Sequence, residues 1–356
     1  MNEITFVYIF FIIVLICISI VLLSLSTYSN IESFYLQKIP DMKKEEGEGH
    51  IINLYDENDN ILNVLVIRYY LDNETHVKNF LKYIDQGYKF IGCSSMLSFP
   101  RYCDNNIAGY CAKSNKDNQK INNKNIEDYV LGWCHCFRDP KKYIKPGIPT
   151  LLLSESDFNA ENLIIPDSTI EKKYDYICHH PTDDICGNGW HSHNKNYKLL
   201  KKVIKVLSDE LDLKGLIVAW NKSNNTEQCP VDIEKLHNIE TLGFINMHDF
   251  HKKIKESRFI ILPNFEDASP RVISESLCAD VPIFVNENIL GGWKYVNRET
   301  GVFFNEKNIK DKANILLNRI KNNELNPREN YLNHYGLKNS GKKLRDWLKK
   351  IYPDLT

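Results

Sequence analysis

Apolar and polar positions fall into three regimes along the chain. Residues 4–25 are almost continuously apolar and uncharged, and a run of about 20 such residues can span a bilayer. The run lacks the basic flank of a cleaved signal, so residues 1–27 read as a single-pass transmembrane anchor, with a cleaved signal or a buried helix as the alternatives. Residues 28–60 are polar, carry the cluster KKEEGE and read as a stem. Beyond them the pattern is that of an α/β protein. VLVIRYY, residues 64–70, has the β-branched and aromatic content of a strand. Residues 74–86 space Val77, Phe80, Leu81 and Ile84 as one face of a helix, Gly87 ends it, and residues 88–93 form a second strand. Such a β-α-β unit implies a parallel sheet. An Asn/Lys-rich stretch in residues 100–124 reads as a disordered segment or insertion. Strands then follow at residues 129–136 and 150–153, with a short helix after Asp139 between them.

The second half repeats the alternation. Residues 175–179 read as a strand, and Leu199, Leu200, Val203, Ile204 and Leu207 mark a helix. Residues 215–220 form another strand, then come a helix, a short strand near Phe244, a helix over residues 247–256 and the strand RFIILP ending at Pro263. Residues 341–352 form a basic amphipathic helix with Leu344, Trp347, Leu348 and Ile351 on one face. That face is expected to pack back on the domains, with membrane-surface binding as the alternative. The expected division is an anchor (1–27), a stem (28–60), a first Rossmann-like domain (61–170), a second (171–330) and a closing helix (331–356).

Composition changes this picture little. A chain of 356 residues accommodates two domains. A net charge of −1 with 26% charged residues gives no basic surface for nucleic acid. Membrane topology stays open. Lys38, Lys43 and Lys44 follow the anchor and favour a cytosolic catalytic part, while Cys103 and Cys111, which could pair in a lumen, point the other way.

The chemistry concentrates in NFEDASPRVISESLCADVPIFV. A strand ends at Pro263, a polar loop follows, and Ser269-Pro270 is a helix start signal. A helix over residues 270–279 and a second apolar run over residues 282–285 come next. Asp267 in the loop and Glu275 in the helix are thereby held at the carboxyl end of a strand, beside a helix N-terminus that attracts anions. Carboxylates suit the vicinal hydroxyls of sugars, and cations suit a diphosphate.

DASPRVISESLCADVP resembles the signature of the group 1, family 4-like retaining glycosyltransferases, an acid followed after seven residues by Glu. Asp267 stands at the first acid, where Glu is usual, Glu275 at the second, and Asp280 at the usual glycine. The resemblance implies the GT-B fold, two facing Rossmann-like domains, here after one transmembrane helix. It implies transfer of a sugar from a nucleotide-sugar donor to a hydroxyl of a glycan, lipid-linked or protein-linked acceptor, with retention. Glu275 would then hold the ribose, and Asp267, or Glu266 beside it, would hold the hexose with the Ala268–Ser269 turn. Lys195 and Arg271 would face the diphosphate, and Gly291 and Gly292 would allow close backbone approach. In the first domain His135, at the end of a strand in GWCHCF, and Glu155 or Ser156, after TLLL, are the catalytic candidates.

No cofactor or metal is implied. CHHPTDDICGNGWHSH supplies zinc-ligand residue types, but not the C-x₂₋₄-C and H-x₃₋₅-H spacings of structural zinc sites. A non-catalytic carbohydrate- or nucleotide-binding protein on the same fold is the alternative, because a fold does not fix a function.

Overall fold

A computed structural model describes residues 35–38, 50–56, 58–71, 73–95, 99–100, 120–159, 164–180, 190–219 and 238–355. The apolar run at residues 4–25, read above as an anchor, lies outside the described residues. Among the described residues no helix is long and apolar enough to cross a membrane. Most of the Asn/Lys-rich insertion also lies outside them, apart from a hairpin of two short strands at its end.

The first half forms a six-stranded sheet. Its strands lie in the order β1 (Tyr35–Lys38), β2 (Ile51–Tyr55), β3 (Ile61–Ile67), β4 (Lys89–Cys93), β7 (Val130–His135) and β8 (Thr150–Leu152), while the hairpin is β5 (Lys120–Ile121) with β6 (Lys124–Asn125). β3, β4, β7 and β8 run parallel, and α1 (Glu74–Asp85) links β3 to β4. Asn73 caps α1 by accepting from the His76 N–H.

The stem expectation for residues 28–60 fails here. β1 and β2 are antiparallel strands on the edge of this sheet, and all five residues of β2 are buried. The polar run after β2 is a tight turn into β3. The Asp56 carboxylate accepts the N–H groups of Asn58 and Asn60, both at 2.8 Å. These bonds, with the Asn60 side chain first among them, lower the Asp56 pKa. A polar turn of this kind reads like a linker, because Asp and Asn favour both.

The second half is a six-stranded, all-parallel sheet of β9 (Tyr174–His179), β10 (Gly215–Val218), β11 (Ile239–Thr241), β12 (Ser257–Leu262), β13 (Ile283–Asn286) and β14 (Gly301–Phe304). Its spatial order is β11-β10-β9-β12-β13-β14. Chain order therefore reverses between β9 and β12, and ligands of such sheets bind at the carboxyl ends beside that switch point. The helices are α2 (Trp190–Asn194), α3 (Tyr197–Lys205), α4 (Met247–Lys255), α5 (Arg271–Cys278), α6 (Ile309–Lys321), α7 (Pro327–His334) and α8 (Gly336–Ile351). One face of the sheet packs with α3 and α6 through Leu200, Val203, Ile204, Ala313 and Leu316. The other packs with α4, α5 and α7 through Ile254, Ile273, Leu277 and Tyr331.

α8 returns to the first sheet. Leu344 and Leu348 are buried against Val64, Val66 and Ile91, each contributing about 1.5–3 kcal/mol of apolar burial. Gly132 permits this docking, since a Cβ there would lie 2.6 Å from the Trp347 ring.

Candidate active site

The strand-loop-helix predicted from the sequence is present. β12 ends at Leu262, residues 263–270 form the loop, and α5 starts at Arg271. Ser269 was expected to cap α5, but the cap position is Pro270 and no side chain caps the helix. The first N–H groups of α5 are thus left for an anion. After α5, Asp280 has a left-handed φ of 59° and its Oδ1 accepts from the Arg328 N–H at 3.0 Å. Asp tolerates this conformation better than most residues, which explains how it replaces a glycine.

Asp267 and Lys195, expected on the hexose and on the diphosphate, pair with each other. Lys195 Nζ and Asn264 Nδ2 each lie 2.7 Å from Asp267 Oδ2. Glu266 points instead toward His193, whose Nε2 lies 3.8 Å away. Arg271 is exposed, and its guanidinium makes no ion pair among the described residues. Glu275 is buried at 6% exposure, with His251 Nε2 3.7 Å from its carboxylate.

Gly291 and Gly292 act on the loop itself. The Gly291 N–H donates to the Asp267 carbonyl at 2.8 Å, and a Cβ at Gly291 would stand 1.8 Å from the Ala268 carbonyl oxygen. Gly292 has φ 79° and lies against Pro270. The close backbone approach expected at this pair is therefore made to residues 267–270. Ala268 is buried, and with Leu290 it packs into the hydrophobic cluster of the first sheet.

The facing wall comes from the first sheet. His135 ends β7, is buried, and its Nδ1 has no hydrogen-bond partner. Burial, and then the charge of Lys294, lower its pKa to about 4, so the ring is neutral at pH 7. His135 stacks on Phe137, and Phe137 on Tyr143 with ring centroids 4.1 Å apart. Glu155 is in an ion pair with Arg68, and it is its neighbour Ser156 that reaches the second sheet. The Ser156 N–H donates to Ser269 Oγ at 2.9 Å, and Ser269 Oγ donates to Ser156 Oγ at 3.0 Å. The Ser269 hydroxyl is thus engaged between the sheets, while the backbone of the Ala268–Ser269 turn was the part expected on the hexose.

A buried polar network that sequence reading missed lies beside this contact. Asp157 forms an ion pair with Lys294, their side chains being 1% and 4% exposed. The Tyr295 hydroxyl donates to Asp157 Oδ1, and the Ser154 N–H to Oδ2 at 2.8 Å. Lys294 Nζ also donates to Ser154 Oγ at 3.0 Å. Burial, and then the Asp157 charge, push the Tyr295 hydroxyl pKa well up. α7 and α8 join the network, with the Tyr331 hydroxyl donating to the Ser156 carbonyl and Ser340 Oγ to the Asp157 carbonyl. The only local signal was Ser154-x-x-Asp157, a capping box around the short helical turn Glu155–Phe158. A second tie runs from Trp293 Nε1 to the Cys136 carbonyl at 2.7 Å, and Arg138 lies over the Trp293 and Phe303 rings.

Among the described residues no group of three or more His, Cys, Asp and Glu side chains could hold a metal ion. Cys186 of the cysteine- and histidine-rich stretch lies outside them.

Residues 189–338 match the family model described as Glycosyl transferases group 1, a match that contains both Asp267 and Glu275. Among solved structures the chain resembles TarM, a protein of S. aureus, at 13% identity and a TM-score of 0.55, covering 91% of this chain and 67% of that one. It resembles sucrose-phosphate synthase from Thermosynechococcus elongatus at 11% identity and a TM-score of 0.55, covering 82% and 74%. HepE of Anabaena, solved in complex with UDP and glucose, gives 10% and 0.55, covering 78% and 76%. No curated protein sequence matches the chain. The fold is GT-B-like, that of glycosyltransferases, and the family match supports sugar transfer.

Proposed function

We propose that the protein is a retaining hexosyltransferase that moves a sugar from a nucleotide donor to a hydroxyl of a glycan, lipid-linked or protein-linked acceptor. The observation that carries this reading is the assembly of Asp267, Lys195, Glu275 and the uncapped start of α5 at the switch point of the second sheet. In this reading the diphosphate lies against the N-terminus of α5, Arg271 and Lys195. These groups offset the charge that develops on the leaving nucleotide, so no metal is required. Glu275 takes the ribose hydroxyls. Asp267 takes hydroxyls of the hexose once Lys195 turns to the phosphates.

His135, neutral at pH 7 and with one unpartnered nitrogen, faces the acceptor side and holds the acceptor hydroxyl. Glu155, bound to Arg68, shapes that wall without touching the reacting atoms. The apolar residues 4–25 tether the enzyme to a membrane. The similar structures include one in complex with UDP and glucose and one with UDP and GlcNAc, which makes uridine nucleotides the first donors to try.

The test is incubation of the full chain with UDP-, GDP- and ADP-sugars, reading released nucleotide and the anomeric configuration of the product. Turnover with retention supports the reading. Tight nucleotide binding with no turnover would favour a binding protein on the same fold, and an inverted product would remove the retaining mechanism.

A further inference from the structure

Glu275 is an unusual carboxylate. Only 9% of its side chain is exposed, and no described residue donates a hydrogen bond to it. His251 Nε2 lies 3.7 Å from Oε2, too far for a hydrogen bond. That nitrogen is itself buried without a partner. Two complementary groups, each costly to leave unsatisfied, thus face one another from neighbouring helices.

The packing of α4 fixes this meeting. Phe250 and Ile254 bury the inner face of α4 in the same cluster as Ile273 and Leu277 of α5, which sets the direction of His251 between them. Met247, one turn earlier on the same face as His251, is 60% exposed. The face therefore runs from solvent at Met247 down to the Glu275 carboxylate.

We propose that His251 is a positioning residue for Glu275. Its Nε2–H donates to Oε2 after a shift of about 0.7 Å, which brings the pair to the usual length near 3.0 Å, and fixes the plane of the carboxylate. The free lone pairs then face the pocket, where an ionised carboxylate, acceptor only, can take both hydroxyls of a vicinal diol. The inference rests on the reading that Glu275 holds the ribose of the donor.

The experiment titrates UDP, 2′-deoxy-UDP, GDP and ADP into the full-length protein and its variants by calorimetry, with Tm recorded for each. His251→Leu is expected to weaken UDP by about tenfold, the worth of one hydrogen bond to a charged group, and to weaken 2′-deoxy-UDP, which keeps one of the two hydroxyls, by about threefold at most. His251→Gln, whose amide nitrogen replaces Nε2, should restore UDP to within about threefold. If Glu275→Gln loses UDP affinity while His251→Leu binds as the parent does, the positioning role is wrong and the ribose reading stands. If His251→Leu weakens both uridine nucleotides equally, or Gln does not rescue it, His251 is merely structural and the proposal fails. Unchanged binding in Glu275→Gln, or no nucleotide binding at all in the parent, removes the ribose reading and the proposal with it.

Discussion

Lys294→Met should separate the two halves of the molecule energetically. Methionine keeps the length of the lysine stem and removes its charge, leaving Asp157 buried with the Ser154 N–H and the Tyr295 hydroxyl as its two close donors and Ser154 Oγ at 3.5 Å. Removing one partner of a buried pair costs about 3–5 kcal/mol. The two surviving donors place this case near the lower end, about 3 kcal/mol. For a chain of this size that lowers Tm by on the order of 5–10 °C. The double variant Asp157→Asn, Lys294→Met leaves no uncompensated charge and should recover more than half of the loss, because neutral replacement of a buried pair is often nearly cost-free. Thermal unfolding followed by tryptophan fluorescence reads both, with Trp293 and Trp133 reporting on the two sheets. A Lys294→Met protein that melts within about 1 °C of the parent, or a double variant less stable than both singles, would refute the buried lock.

Three further outcomes follow from single observations. The depressed pKa of His135 means that the unfolded chain, with its histidine near 6.5, binds a proton the native state refuses until about pH 4. Stability should therefore fall as pH drops from 6.5 toward 4, and a Tm–pH profile of His135→Gln should be flatter there; parallel profiles would contradict the assigned burial. Gly291→Ala drives a methyl into the Ala268 carbonyl and should cost about 1–3 kcal/mol by overpacking, with loss of nucleotide binding as the Asp267 loop moves; a Tm and affinity equal to the parent's would show that the loop is not wedged by this contact. Asp280→Gly should be more stable than Asp280→Ala by about 1 kcal/mol in denaturant unfolding, since both lose the bond to Arg328 and only alanine keeps the left-handed strain; equal stabilities would exclude that strain.

The alternation of strands and helices was legible because the strands of a parallel sheet, covered on both faces, appear as short apolar runs such as residues 258–262. The loop and helix holding Asp267 and Glu275 were legible too, since a strand end, a Pro and a helical apolar spacing lie within one short stretch. Lys195 and Asp267 were expected on different parts of the donor, and their direct contact at 2.7 Å left no trace in the sequence. Other features left no local trace. Lys294 and Asp157 lie 137 residues apart, and neither stands in a pattern that announces a buried ion pair. β1 and β2 are short strands within a stretch rich in polar residues, so composition ranked them as linker. Ser269 carried a capping signal, yet the tertiary contact to Ser156 claimed its hydroxyl. His251 sits in a polar helix face, and only packing against α5 turns it toward Glu275.

The central claim, that Asp267 and Glu275 divide the donor between them, is tested most directly by comparing Glu275→Ala and Asp267→Ala on the nucleotide sugar that the parent uses. Nucleotide affinity should fall at least about tenfold in Glu275→Ala, which loses the ribose hydrogen bonds. Asp267→Ala should bind the nucleotide within about threefold of the parent while its kcat drops further than its affinity does. Kinetics and affinities unchanged in both variants would contradict the site.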